Sequence, residues 1–511
     1  MFNNLKVHKV AAREEDNAGE THLVPHTSTT NILAIAVAGL GGFLFGYANN
    51  SISGTLAQTS FQAKFLTGSN ANSIVDGILG GFLGGGLIGA VIQAPISRRY
   101  GRRAATGFAA IVLTVSAVLQ AASYHIAMFI AFRIICGIGA GIVLTNVPVY
   151  MSEISPPHTR GMLVGSHAIT IVYAYIFSSC MALGFHFIDR PYVWRLQFVM
   201  LTFVSILLLV SLPFIPESPR WLVEQERYEE AQKVLEKLHR GKNDTGAHLA
   251  KAEMVQIKAQ VDAERSLPSG YIYIFKTPQL RKRAFCSILV WVMGQSTGIL
   301  AIANLTPTLF GALGYSTVLQ LGLSIVWTVC ALIACFINAA IMDKVGRVKL
   351  LVIGGYLCSA ALICEALLQK YYLGSENEAG LKAAVGMFFV FIIFYGATID
   401  CAAYVYISEI WPTHLRSQGA SIGLVSFFAT SIAYNSPSSL AFATIGWKYY
   451  LVFVAVCITA STAILFYLPE TAGLTLEEIG AEFGDHVEIQ LRDIHFKEGK
   501  ADEILEVEHV V

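Results

Sequence analysis

Twelve apolar stretches, each close to the roughly 20 residues an α-helix needs to cross a bilayer, set the first limit on what this chain can become. They lie at about 31–54, 74–96, 104–123, 127–149, 163–185, 194–214, 284–304, 318–342, 349–370, 382–408, 418–442 and 449–468. The hydrocarbon core offers no water to exposed N–H and C=O groups, so each stretch must satisfy its own backbone, and a helix does so. Composition agrees: the 511 residues are 54% hydrophobic and only 14% charged, against about 25% charged in a soluble chain. The expected fold class is an all-α membrane protein with twelve transmembrane helices. A net charge of zero argues against nucleic acid as a partner. The nine cysteines are scattered through the apolar runs with no CxxC pair. They read as small reduced hydrophobes, so no metal site or other cofactor is expected.

The chain also repeats itself. Val149–Arg160 reads VYMSEISPPHTR and Val405–Arg416 reads VYISEIWPTHLR, agreeing at eight of twelve positions with an offset of 256 residues (405 minus 149). Tyr100-Gly-Arg-Arg-Ala104 answers Val345-Gly-Arg-Val-Lys349, and Trp194-Arg195 answers Trp447-Lys448. With an even number of spans per half, this is a parallel repeat about an axis along the membrane normal. The domains expected are an N-terminal tail (1–30), a six-helix bundle (31–214), a linker with short helices (215–283), a second six-helix bundle (284–468) and a mostly disordered acidic tail (469–511). Residues 1–30 lack the apolar core of a signal peptide. Arg98, Arg99, Arg102 and Arg103 sit between spans two and three, and Lys344, Arg347 and Lys349 between spans eight and nine. This basic bias puts both termini in the cytoplasm. Two bundles face to face enclose a cavity, and rocking exposes it to each side in turn.

With these strings in hand, the chain resembles the sugar-porter family of the major facilitator superfamily over about residues 31–480, and within it a fungal member. The strings are Arg99-Tyr-Gly-Arg-Arg103, Arg133, Glu153 with Arg160-Gly161, Pro216-Glu-Ser-Pro-Arg-Trp-Leu222, Asp343-Lys-Val-Gly-Arg347, Glu409 with Arg416, and Pro469-Glu-Thr-Ala-Gly473 with Leu476-Glu-Glu-Ile479. The resemblance implies a cytoplasmic gate of ion pairs between the bundles, latching the outward-facing state. Its members here are Arg99, Arg103, Glu153, Arg160, Glu217, Arg220, Asp343, Arg347, Glu409, Arg416 and Glu470. Read from the residues alone, the basic ones also serve simply to set topology. The family has an acid or Asn where this chain has Arg98, so one partner of the first-half latch is missing.

Ionisable groups deep in a span are costly and mark function by default. Arg133 lies in span four; in proton-coupled relatives it pairs with an Asp in span one, and that position is Ala48 here. Asp400 is another acid, nine residues before Glu409 and so about 13 Å along the helix, near mid-membrane. It either carries a proton, accepts from cargo hydroxyls, or is a neutral group satisfied by a neighbour. Glu365 is a weaker candidate, expected to snorkel near a helix end. His167 is a packed, hydrogen-bonded histidine or a proton relay. Span two carries Gly77, Gly81, Gly85 and Gly89, a stripe for close helix packing.

The family's amides for sugar hydroxyls are thin: its span-seven string appears as Gly294-Gln295-Ser296-Thr297-Gly298-Ile299-Leu300. The remaining pocket candidates are Asn49, Asn50, Gln93, Asn146, Tyr173, Gln295, Asn304, Asp400, Tyr404 and Asn435. Asn304-Leu-Thr306 matches a glycosylation acceptor but lies too near a span end to be used. The expected function is alternating-access transport of a small hydroxylated solute, a sugar first, by facilitated diffusion or with protons. The rivals are another metabolite on the same scaffold, or a non-transporting sugar sensor. No nucleophile–base string, HExxH or phosphate-cradling glycine loop suggests an enzyme. A monomer in the plasma membrane completes the expectation.

Overall fold

A computed structural model describes residues 29–155, 160–239, 248–265, 270–375, 377–474 and 476–484. The first half contains α1 (Thr29–Ala57), a short α2 (Thr59–Phe65), α3 (Ala71–Tyr100), α4 (Arg102–Ala121), α5 (Ile126–Ile154), α6 (Arg160–His186) and α7 (Leu196–Ser211). Four short helices follow: α8 (Pro219–Glu224), α9 (Tyr228–His239), α10 (His248–Arg265) and α11 (Tyr271–Lys276). The second half contains α12 (Pro278–Ser296), α13 (Ile299–Ala312), α14 (Thr317–Val345), α15 (Arg347–Tyr372), α16 (Glu378–Tyr395), a π-helical turn (Gly396–Asp400), α17 (Cys401–Glu409), α18 (Arg416–Asn435), α19 (Ser438–Thr444) and α20 (Lys448–Tyr467), before a last short α21 (Leu476–Glu482).

Two pairs of helices each make one crossing. Gly298 takes a left-handed φ of 75° and breaks the seventh crossing into α12 and α13. The π turn joins α16 to α17. The seventh crossing therefore runs from Pro278, where a proline suits the first helical turn, to Ala312, beyond the expected 284–304. Among the described residues, eleven segments are long and apolar enough to span a bilayer. The remaining crossing, eleventh in chain order, is α18, whose 20 residues give about 30 Å of helix. Its serines lower its hydropathy, and they do so because α18 is a seam helix rather than a lipid-facing one. Ser421 faces Gln93 of the first half, and Ser431 bonds Gln295.

The two halves meet along α3–α18, α6–α14, α6–α17 and α1–α13. Within the first half the α3 stripe packs on the backbone of α5. A Cβ on Gly85 would strike the Ile134 carbonyl, and one on Gly89 that of Ile138. Gly137 and Gly141 of α5 answer against Phe82 and Gly86. The linker helices form a small core of their own around Trp221, Leu235, Ala250 and Ile257.

The described start of the tail packs on the bundle, with Ile479 and Phe483 buried and Arg283 4.8 Å over the Phe483 ring; the rest of the expected disordered tail lies outside the described residues. One expectation is corrected. Glu365 does not snorkel: it is 1% exposed and accepts from Gln369 Nε2 at 2.7 Å. The described residues cover only the ends of the expected tails, leaving 1–28 and 485–511 outside.

Candidate functional site

A cavity lies at the seam, with about 60 Å³ of room for the centres of water-sized molecules, against the roughly 10–15 Å³ that one water requires. Most of its wall is carbon: Phe45, Ile171 and Val172 from the first half, Trp291, Trp327, Ile392 and Phe427 from the second. The polar groups on it are Tyr175 from the first half and Gln295, Tyr395, Asp400 and Tyr404 from the second. Asp400 closes the π turn, a feature that often marks functional sites. The turn backs onto α14, where Asn338 Nδ2 donates to the Gly396 carbonyl at 3.2 Å and the Cys335 thiol donates to Asp400 Oδ2 at 3.3 Å. Gln295 Oε1 accepts from Ser431 Oγ at 3.1 Å, so its amide NH₂ keeps no protein partner among the described residues. The Tyr175 hydroxyl accepts from Asn49 Nδ2 at 3.0 Å. The Tyr404 ring is packed edge-to-face with Trp291 and His167, at 4.8 and 5.6 Å.

Of the residues proposed from sequence, Gln295, Asp400 and Tyr404 line this cavity. Asn49 stands behind it through Tyr175, and Asn50 is tied to the Tyr175 carbonyl and Ser179 Oγ, both at 3.1 Å. Tyr173 is corrected: it is 55% exposed on the outside of the bundle, and Tyr175 is the tyrosine of α6 that reaches the cavity. Gln93 and Asn146 are also corrected. They bond each other at 2.8 Å, away from the cavity and toward the α3–α4 loop. Asn146 donates to the Arg102 carbonyl, and Gln93 accepts from Ser417 and Ser421 across the seam. Asn304 and Asn435 are buried outside the cavity lining, with Asn304 Oδ1 and both Asn435 side-chain atoms unpartnered among the described residues. Among the described residues both His167 nitrogens are buried without a partner, so the expected hydrogen bond of this histidine is not found there. Among the described residues Arg133 has no acid beside it. Its guanidinium donates to the Ala48 and Asn49 carbonyls at 2.8 and 3.4 Å and lies 4.4 Å over the Phe82 ring.

The face carrying the basic loops is built twice from one plan. Gly101 and Gly346 take φ of 96° and 109°, turning the chain directly from one membrane helix into the next. The new helix then presents unsatisfied N–H groups, and a glutamate from the loop after each half's last helix accepts them. Glu217 accepts from Arg102 N and Arg103 N at 3.0 and 3.2 Å. Glu470 accepts from Arg347 N at 2.7 Å and Val348 N at 3.1 Å. Tyr150 and Tyr406 donate to the carbonyls of Pro216 and Pro469. Burial pushes the Glu217 carboxyl up, opposed by the backbone donors and the Arg102 charge.

Beside each cap sits an ion pair. Arg102 grips Glu153 with two parallel bonds of 2.8 Å, and Ser218 Oγ adds a third at 2.6 Å. Arg347 meets Glu409 at 3.3 Å and Asp343 at 2.7 Å, and Thr471 Oγ1 donates to Glu409 at 3.0 Å. Arg102 therefore takes the place expected for Arg99, which is exposed and lies over the Tyr100 ring. Arg103 donates to the Ile215 carbonyl, Arg220 acts on Glu153 through its charge, and Arg416 is buried. The Arg160 side chain lies outside the described residues. Each of these two ion pairs sits within its own half, whereas the expectation was pairs between halves. Here the seam itself is crossed by Gln93 with the α18 serines. On the opposite face Asp76 accepts from Ser439 N and Leu440 N at 2.9 and 3.3 Å.

The model of the family described as "Sugar (and other) transporter" matches residues 34–483. The chain belongs to that family. Among its relatives, an MFS-type transporter, criB, of Aspergillus cristatus is 31% identical over 88% of this chain and 92% of its own. A high-affinity glucose transporter of Kluyveromyces lactis is 27% identical over 76% of this chain and 73% of its own. Among solved structures, the proton:xylose symporter XylE bound to 6-bromo-6-deoxy-D-glucose superposes with a TM-score of 0.79 at 25% identity, covering 90% of this chain and all of that one. This member of the sugar (and other) transporter family is thus a multi-pass integral membrane protein of the major facilitator fold, with twelve crossings in two six-helix bundles.

Proposed function

We propose that this transporter carries a small hydroxylated solute, a sugar, by alternating access, with the seam cavity as its binding site. The observation that carries the reading is Asp400 and Gln295 brought to one cavity between halves that contact each other on both faces. The Asp400 carboxylate accepts a cargo hydroxyl, the Gln295 amide and the tyrosine hydroxyls supply donors, and the aromatic walls take the carbon faces of the ring. Such a division of labour is the usual chemistry of small-molecule sites. Relatives that carry glucose and xylose support the sugar assignment.

Asp400 is also the candidate proton carrier, since Ala48 leaves Arg133 without the acid used in proton-coupled relatives. The ion pairs and glutamate caps act as the gate on the basic face, which is the cytoplasmic one, with both termini there and the protein a monomer in the plasma membrane. The carbon-rich wall favours one second reading: a metabolite less hydroxylated than glucose on the same scaffold. Uptake of radiolabelled D-glucose into vesicles reconstituted with the full chain tests the proposal. Saturable uptake supports it, and uptake of a less polar competitor without glucose moves the cargo to the second reading.

A further inference from the structure

Asp400 accepts a single protein hydrogen bond among the described residues, the one from the Cys335 thiol. A carboxylate offers about four acceptor sites and a thiol is a weak donor, so the contact satisfies little of the carboxylate. Its geometry is more informative. Cys335 and Asn338 are three residues apart and share one face of α14. Asn338 holds the first residue of the π turn through the Gly396 carbonyl, and Cys335 holds the last through the Asp400 side chain. The Cys401 thiol returns a contact to the Cys335 carbonyl at 3.7 Å. Gly396 is pressed against Ala331 and Ala334 of the same helix, where a Cβ would not fit. A π turn carries one residue more than the α-helical register, and relaxation to that register would swing Asp400 around the helix. The clamp on α14 spans the inserted turn from end to end.

We propose that Cys335 is a positioning residue for Asp400, its thiol fixing the carboxylate in the direction of the cavity. The proposal rests on the reading that Asp400 contacts the cargo, and the test separates the two. D-glucose uptake by reconstituted full-length protein is measured for Cys335→Val, Cys335→Ser, Cys335→Ala, Asp400→Asn and the Cys335→Val/Asp400→Asn pair. Removing the donor raises KM about three- to tenfold, the range of one modest hydrogen bond, with Vmax within about twofold. Serine keeps the donor and stays near the parent value. Valine adds nothing once Asp400 is asparagine.

An effect of valine or alanine that persists unchanged in the Asp400→Asn background, or a serine variant as impaired as valine, overturns the positioning role. An unchanged KM in Asp400→Asn alone removes the cargo reading and Cys335 with it. A readout independent of cargo runs beside these: labelling of Asp400 by dicyclohexylcarbodiimide, followed by mass spectrometry, with the buried Glu365 as internal reference. The Asp400 rate relative to Glu365 changes at least about threefold in the valine and alanine variants and not in serine. Equal ratios in all of them refute the proposal.

Discussion

Replacing Arg102 with alanine tests whether the two copies of the basic-face plan bear equal loads. Arg102 and Glu153 are 4% and 7% exposed and joined by two bonds of 2.8 Å. Losing the arginine leaves a buried carboxylate that keeps the Ser218 hydroxyl and the nearby charge of Arg220, and breaking such a pair costs about 3–5 kcal/mol. The matching Arg347 pair is wetter and looser. Its Asp343 partner has a side chain 61% exposed, and its bond to Glu409 is 3.3 Å long. An exposed pair contributes about 0–1 kcal/mol and a charge-assisted bond somewhat more, so Arg347→Ala should cost about 1–2 kcal/mol. The assay is denaturation of the purified protein in one detergent, read by a thiol-reactive dye on the buried cysteines. Arg102→Ala should melt well below Arg347→Ala. The pair Arg102→Met/Glu153→Leu should recover much of the loss, because the buried carboxylate is removed together with the guanidinium that matched it. Equal melting of the two single variants, or no recovery in the pair, would refute the reasoning.

Three further outcomes are expected. Asp400→Asn should abolish alkalinisation of the medium on sugar addition, and alkalinisation that survives removes Asp400 as the proton carrier. Tyr175→Phe should raise the uptake KM roughly three- to tenfold, because it deletes a cavity hydroxyl and leaves Asn49 without its acceptor; Tyr173→Phe, on the outer surface, should leave KM unchanged. Gly85→Leu should prevent accumulation of folded protein, since its side chain has only the Ile134 backbone to occupy; normal expression would mean α3 and α5 pack otherwise.

The crossings were readable because lipid imposes a length and a composition on each of them. Even α18, whose serines lower its hydropathy, stood out as an apolar run between Arg416 and the next turn. The inward face of each helix was harder to read. In α6, Tyr173 and Tyr175 sit two residues apart and so on nearly opposite sides of the helix. The helix is apolar all round, because lipid and the seam both accept carbon, and periodicity has nothing to separate. The π turn was invisible for a similar reason: the run around Gly396–Asp400 is apolar on too many sides for one inserted residue to shift a readable period, and Thr398 and Asp400 alone set no register. Arg102 was within reach. The matched strings align Gly101-Arg102 with Gly346-Arg347, and Arg347 was already assigned to the gate, so the repeat itself points to Arg102.

What duplication preserved and what it released follow from different physics. Every helix that begins at the Gly-Arg corner presents free N–H groups near the membrane surface, and that debt of hydrogen bonds is the same in both halves. Glu217 and Glu470 therefore answer it identically, each followed by a hydroxyl residue, Ser218 or Thr471, bonded to the neighbouring Glu153 or Glu409. The cavity carries no such requirement. A solute without two-fold symmetry cannot present the same groups to both halves. The walls have accordingly diverged, with Asp400 and Gln295 on one side facing Phe45, Ile171 and Val172 on the other. On the proposed reading, directional bonds to the cargo would come mostly from the second half, with Tyr175 of the first, and carbon contact from the first. That arrangement suits a cargo held by one bundle while the other rocks across it.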